Sequence, residues 1–220
     1  EDLDPHLRVR LEDALDSRVV STGMKAMDTD GYSIGSPHPS ALERMRFDSF
    51  EPHGTARERH ELIMAQQAAL AFAHTPQGWL VLCGPHGVGK THLAVAITAE
   101  LSKSHQVYFA RVQQLMYRLQ SSFQSAGDSQ QTFDRLFRAA ADAEVLIMDD
   151  LGAENDSEWT RATLQELLSH RYEARLPTVV TTFIDMAQQS GAIASRLCDR
   201  SISRVIHMSA PDYRRTPPAA

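Results

Sequence analysis

The chain has 220 residues, of which 42% are hydrophobic, so it can bury the core of one domain. Its formal net charge of -6 excludes nucleic-acid binding through overall positive charge, so any such contact must come from a local basic patch. Two cysteines, Cys83 and Cys198, are too few for a disulfide scaffold or a four-ligand zinc site. No apolar run approaches the roughly 20 residues of a membrane span, and a cytoplasmic protein is expected.

Residues 1–40 are predicted to form an arm and linker ahead of the main domain. Residues 1–20 carry apolar side chains at helical spacing among charged ones, which predicts a short amphipathic helix. This pattern fits a solvated surface helix and a partner-docking helix equally. Turn-forming residues between 21 and 40 predict a linker. The main domain is predicted at 41–215, with a flexible tail at 216–220.

The main domain alternates predicted helices and strands. Apolar periodicity predicts helices at 57–75, 113–123, 131–141, 157–174 and 191–200. Runs of β-forming residues predict strands at 79–83, 106–112, 144–148, 177–183 and 204–208. Such alternation indicates an α/β fold, a parallel sheet with helices on both faces.

A glycine-rich turn follows the first predicted strand. Gly84-Pro-His-Gly-Val-Gly-Lys-Thr91 matches G-x-x-x-x-G-K-[ST], and apolar residues at helical spacing follow it. In this strand-turn-helix context, backbone N–H groups and a helix N-terminus hold phosphate oxygens. Lys90 is predicted to reach the β- and γ-phosphates of ATP, and Thr91 to bind Mg²⁺. The candidate ATP-binding residues are Gly84, Pro85, His86, Gly87, Val88, Gly89, Lys90 and Thr91.

Two acidic residues, Asp149 and Asp150, follow another apolar strand. Ligands bind beyond the carboxyl ends of strands in open α/β sheets, so both acids are predicted to face the nucleotide. Asp149 is the second candidate Mg²⁺ ligand, together with Thr91. Asp150 is predicted to orient the water that attacks the γ-phosphate.

Several segments resemble the bacterial helicase loaders of the DnaC/DnaI type and the related transposition ATPase IstB. The resemblance covers roughly residues 44–215 and implies a three-layer P-loop NTPase of the AAA+ type, with a parallel central sheet and a reduced C-terminal lid. The matching segments are Val145-Leu-Ile-Met-Asp-Asp-Leu-Gly-Ala-Glu154, Ser157-Glu-Trp-Thr-Arg161, Arg171-Tyr-Glu-Ala-Arg-Leu-Pro-Thr178, Arg46-Phe-Asp-Ser-Phe50 and Asp212-Tyr-Arg214.

The resemblance also implies roles for single residues. Arg196 matches the arginine finger that enters a neighbouring subunit's site, which implies self-association, and Arg200 is the competing candidate. Arg214 matches the sensor-2 arginine, which touches the γ-phosphate within one subunit. Phe47 and Phe50 match residues beside the adenine, although both also suit a hydrophobic core.

Two features depart from the family pattern. Its strand at this position usually ends in an asparagine that senses the γ-phosphate, whereas this chain has Thr181-Thr182-Phe183. Phenylalanine cannot donate that hydrogen bond, and a neighbouring threonine would replace it only in part, so weak hydrolysis is expected. Family loaders often carry a cysteine-rich zinc region that grips the helicase, and residues 1–40 contain no cysteine.

The resemblance implies an ATPase that loads a hexameric replicative helicase onto single-stranded DNA. Aromatic and arginine side chains suited to single-stranded DNA occur after the P-loop helix, although some of them also suit a core or a solvated face. They are Tyr108, Phe109, Arg111, Tyr117, Arg118, Arg135 and Arg138. Two alternatives stay open: an IstB-like helper of DNA transposition, and a nucleotide-locked adaptor with little turnover, which Phe183 favours.

Overall fold

The computed structural model describes residues 35–122, 129–154, 157–184 and 191–215. Its helices are α1 (Pro39–Arg44), α2 (Ala56–His74), α3 (Lys90–Leu101), α4 (Val112–Ser122), α5 (Ser129–Ala141), α6 (Glu158–Glu173) and α7 (Ala192–Leu197). Its strands are β1 (Trp79–Cys83), β2 (Val107–Arg111), β3 (Val145–Leu151), β4 (Thr178–Thr182) and β5 (Ser203–His207). Among the helices of these ranges, none is both long and apolar enough to cross a lipid bilayer.

The five strands form one parallel sheet in the order β2-β3-β4-β1-β5. Successive residues of a strand face opposite sides of the sheet, and here both sides are buried. Leu80, Leu82 and Ile147 pack on one side against α2 and α3. Val81 and Met148 pack on the other side against α4, α5 and α6. The sheet is therefore the middle of three layers, as the sequence predicts.

The strand order decides where the polar strand ends meet. Because β4 lies between β3 and β1, its carboxyl end separates the P-loop from the acidic pair that ends β3. The register between β3 and β4 shifts between Met148 and Leu151, which marks a bulge at Asp149 and Asp150. The predicted strand at 144–148 thus continues through both acids to Leu151.

Most predicted elements agree with the structure to within two residues. On α2, Leu62 is fully buried, whereas the neighbouring Ile63 is 40% exposed. A one-residue step rotates a helix by about 100°, so Leu62 takes the core-facing position. Residues 1–34 of the predicted arm and the predicted tail at 216–220 lie outside the described residues.

A buried arginine joins α6 to the amino end of β4, at the end of the sheet opposite the P-loop. Arg171 is fully buried and donates from Nη1 to the carbonyls of Ala141 and Ala143 at 2.9 and 2.8 Å. Its Nη2 donates to Pro177 O at 2.6 Å, and Nε to Thr178 Oγ1 at 3.0 Å. Burial lowers the pKa of Arg171 to about 9, so the side chain stays charged at neutral pH.

We expect Arg171→Met to lower the free energy of unfolding by about 3–5 kcal/mol, because it leaves several buried carbonyls without a donor. Arg171→Lys should recover only part of the loss, since the single ammonium of lysine cannot reach all the carbonyls that the guanidinium contacts. Arg161→Lys, at an exposed position of the same helix, is the control and should change stability by less than about 0.5 kcal/mol. Chemical denaturation measures all three, and a near-neutral Arg171→Met would contradict this account.

Candidate nucleotide-binding site

The loop Gly84–Thr91 connects β1 to α3 and packs against two distant segments. Gly89 has a φ of +102°, and a Cβ added to it would lie 2.6 Å from Phe50 Cε2. Gly87 has a φ of +80°, and a Cβ there would overlap the Asp212 carboxylate. Both positions require glycine for backbone angle and for space, independently of any ligand.

Lys90 is the first residue of α3 and is only 5% exposed. Its Nζ donates to Gly84 O at 2.8 Å and to Pro85 O at 2.7 Å. Burial lowers the pKa of Lys90, and the charges of Asp150 and Asp149 partly oppose that shift. The ammonium therefore lies within the loop where a phosphate would be held, close to both acids.

Asp149 is fully buried and connects three parts of the site. Its Oδ1 accepts hydrogen bonds from Thr91 Oγ1 at 3.0 Å and from Thr181 Oγ1 at 2.7 Å. Burial and the charge of Asp150 raise the pKa of the Asp149 carboxyl. A hydroxyl and a carboxylate in contact are the hard oxygen donors that Mg²⁺ prefers, so Thr91 and Asp149 fit the predicted metal site.

Asp150 lies in the bulge of β3 with a φ of +60°, a backbone conformation that is uncommon for non-glycine residues. Its N–H donates to Thr181 Oγ1 at 2.9 Å. Thr181 therefore positions both acids: it donates to the side chain of Asp149 and accepts from the backbone of Asp150. The sequence predicts no such role for Thr181. The only indication of it in the sequence is a hydroxyl at the end of a buried strand.

The segment after β5 returns across the P-loop. Tyr213 N–H donates to Gly87 O at 3.1 Å. Arg214 is exposed, and its Nε contacts Asp212 Oδ1 at 3.2 Å. The positive charge of Arg214 also contributes to lowering the pKa of Lys90. The structure thus brings Arg214 to the P-loop region, and it adds Asp212, whose contact with the loop the sequence did not reveal.

Other candidate residues lie in different surroundings. Arg196 lies on α7, where Nη1 donates to Ala192 O at 3.1 Å and the guanidinium lies 5.7 Å from the centroid of the Tyr172 ring. Its role as an arginine finger in a neighbouring subunit stays a prediction, as does the competing role of Arg200, which is exposed.

Phe50 is 7% exposed and belongs to the hydrophobic core together with the partly buried Phe47, which favours the core interpretation of both.

The predicted DNA-binding surface is smaller than the sequence suggested. Phe109 is buried in the core. Tyr108 is half-buried and packs on the core, and burial raises its pKa to about 12. Tyr117 is 72% exposed and remains available for stacking. Arg111 and Arg135 are also exposed, whereas Arg118 and Arg138 are half-buried.

We expect Asp149→Asn to raise the melting temperature of the nucleotide-free protein while weakening Mg²⁺-dependent nucleotide binding. The pKa of Asp149 is higher in the folded chain than in the unfolded chain. Ionisation of Asp149 therefore lowers the free energy of unfolding, and the loss is complete above the pKa of the folded state. The loss disappears below the pKa of the unfolded state, at a pH of about 4. A gain of 1 kcal/mol corresponds to about 2–4 °C in a domain of this size.

Thermal melts from pH 4 to 8 check this expectation, and the gain should shrink towards pH 4. Asp48→Asn, at a carboxylate that is 75% exposed, is the control and should have little effect. A lower melting temperature for Asp149→Asn at neutral pH would contradict the burial argument.

The sequence comparisons place this chain in a known family. The family model of IstB-like ATP binding proteins matches residues 40–211. The replicative helicase loader DnaC of Escherichia coli K12 is 25% identical over 121 residues, covering 54% of this chain and 48% of the loader. The putative ATP-binding protein of insertion sequence IS21 from Pseudomonas aeruginosa is 28% identical over 186 residues, covering 81% of this chain and 65% of that protein.

The structural comparison agrees with the sequence comparisons. The crystal structure of DnaI superimposes with a TM-score of 0.60 and 25% identity, covering 79% of this chain and 95% of that one. The fold prediction is confirmed, and the aligned part spans about half the length of the E. coli loader. Since the family model matches most of the chain, the chain belongs to the IstB-like ATP-binding proteins, the AAA+ family that the sequence resemblance indicated.

Proposed function

We propose that the chain is a Mg²⁺-dependent ATPase that assists the loading of a hexameric replicative helicase onto single-stranded DNA. The observation that carries the proposal is the contact between Thr91 and the buried carboxylate of Asp149, beside a complete P-loop. A buried carboxylate whose pKa is raised costs folding free energy, and a bound cation would remove that cost. The helicase partner rests on the similarity to DnaC, whose name states that activity.

The proposed roles combine the position of each group with the resemblance to the family. The loop amides and the Lys90 ammonium bind the phosphates, while Thr91 and Asp149 hold Mg²⁺, which would neutralise charge on the phosphate oxygens. Asp150 orients the attacking water, since its backbone is fixed by Thr181. Arg214 acts within the same subunit, and Arg196 completes the site of a neighbouring one. Hydrolysis is weak because Phe183 lacks the amide of the family's asparagine.

A second function, as a helper of DNA transposition, is favoured by one observation. The IS21 ATP-binding protein matches 81% of this chain, whereas the E. coli loader matches 54%. Both functions use the same nucleotide site and a DNA contact through exposed side chains such as Tyr117 and Arg111. They differ in the partner, a helicase or a transposase, and in the form of the DNA, single-stranded or duplex.

A third possibility is a nucleotide-locked adaptor, in which ATP organises a binding surface without being turned over. Phe183 favours it, because no amide is present at that position to help align water. The adaptor and the enzyme share ATP binding and differ in turnover. A cytoplasmic location remains a prediction for all three functions.

We expect Lys90→Ala to lower both ATP binding and phosphate release to background, because the loop then lacks its only ammonium. Lys103→Ala removes an exposed lysine that pairs with Glu100 and should behave as the unmodified chain. Turnover is measured with single-stranded DNA and helicase present. Background turnover by the unmodified chain, with ATP binding intact, would contradict the enzyme and support the adaptor.

Affinity capture identifies the partner, with the ATP-bound chain as bait. The Lys90→Ala chain serves as the matched negative control. Recovery of a hexameric helicase by the unmodified chain alone supports the loader function. Recovery of a transposase instead would contradict it and support the transposition function. Equal recovery by both chains would show that the nucleotide does not control the interaction, contrary to the proposal.

Arg196→Ala should lower turnover by about 100-fold or more, because a finger arginine stabilises charge on the transferred phosphoryl group. Mixing this chain with the Lys90→Ala chain should restore part of the turnover, since each supplies what the other lacks at a shared interface. Arg200→Ala is the matched control and should retain activity. If Arg200→Ala abolishes turnover instead, the finger is Arg200, and failure of the mixture to recover would contradict action between subunits.

A further inference from the structure

Phe183 spans the gap between the P-loop and the turn that follows the acidic pair. It comes directly after β4, and its ring centroid lies 5.2 Å from that of His86, with the rings inclined at 31°. In that turn, a Cβ added to Gly152 would be 3.4 Å from Phe183 Cε1. The ring therefore joins the two halves of the nucleotide site, although it is 40% exposed.

The two threonines before Phe183 have no hydrogen left to donate to a ligand. Thr181 Oγ1 donates to Asp149 and accepts from the Asp150 N–H. Thr182 Oγ1 donates to Leu151 O at 2.7 Å and accepts from the Ile184 N–H at 3.1 Å. A hydroxyl has one hydrogen, so neither threonine is available to replace the asparagine amide found in the family.

His86 is the polar side chain that Phe183 brings to this position. It is exposed within the P-loop, between Pro85 and Gly87, and an imidazole offers a ring N–H in either neutral tautomer. Contact with the Phe183 ring, at a centroid distance usual for interacting aromatic pairs, limits where the imidazole can lie. The imidazole is thus held on the side of the loop that faces the end of β4.

We propose that His86 binds the terminal phosphate of ATP and so distinguishes ATP from ADP, with Phe183 as the residue that positions its ring. The inference rests on the proposed function, since it requires ATP in the P-loop. A hydrogen bond from an imidazole N–H to a phosphate oxygen is charge-assisted and therefore strong. The pair supplies from the P-loop the hydrogen bond that the family's asparagine supplies from the end of the neighbouring strand.

The test compares the dissociation constants of ADP and of a non-hydrolysable ATP analogue, so it does not depend on turnover. His86→Ala should lower the preference for the triphosphate by about ten-fold, while the affinity for ADP changes less than about two-fold. His86→Gln keeps a side-chain N–H and should retain part of the preference. Phe183→Leu should lose most of it, and Phe183→Tyr, which keeps the ring, should retain it.

His60→Ala, at an exposed position on α2, is the control and should leave both constants unchanged. Equal weakening of both nucleotides by His86→Ala, or no change in either, would overturn the inference while ATP binding itself stands. Loss of preference in Phe183→Leu but not in His86→Ala would also overturn it, because the ring would then act without the imidazole. An unmodified chain that binds neither nucleotide would contradict the proposed function instead.

Discussion

The buried carboxylate of Asp149 is the group on which the nucleotide site depends. It joins the end of β3 to the first turn of α3 through Thr91 and to β4 through Thr181. Three elements distant in sequence are thereby fixed at one point. The arrangement is costly in the empty protein, because desolvation opposes the charge. A buried carboxylate with a raised pKa beside a P-loop is typical of a functional site, because a bound cation would offset that cost.

The layers and the phosphate loop were predictable because each leaves a local pattern. Strands buried on both faces are apolar without interruption, and the glycine positions of the P-loop are fixed relative to Lys90. The start of α6 is equally local, because the Ser157 hydroxyl caps the helix by accepting from Thr160 N–H at 3.0 Å. In these cases the determining residues are neighbours in the sequence.

The remaining parts of the site depend on contacts between distant residues, which no local pattern encodes. Thr181 is a positioning residue because the pairing of β3 with β4 sets it opposite the bulge at Asp149 and Asp150, a register that no local pattern reveals. The bulge that turns Asp150 to a positive φ is likewise a property of the pairing with β4. The absence of the asparagine was evident in the sequence, whereas the ring that faces Phe183 belongs to His86, about a hundred residues earlier.

The packing around the P-loop has a consequence for how its glycines are interpreted. Gly89 rests on the Phe50 ring, and Gly87 lies against the Asp212 carboxylate. These glycines therefore serve the assembly of the domain from its first and last described segments, in addition to any approach of phosphate. A chain that had lost all use of nucleotide would still be selected to keep them, so the persistence of this motif in a relative would not by itself demonstrate that the relative binds ATP.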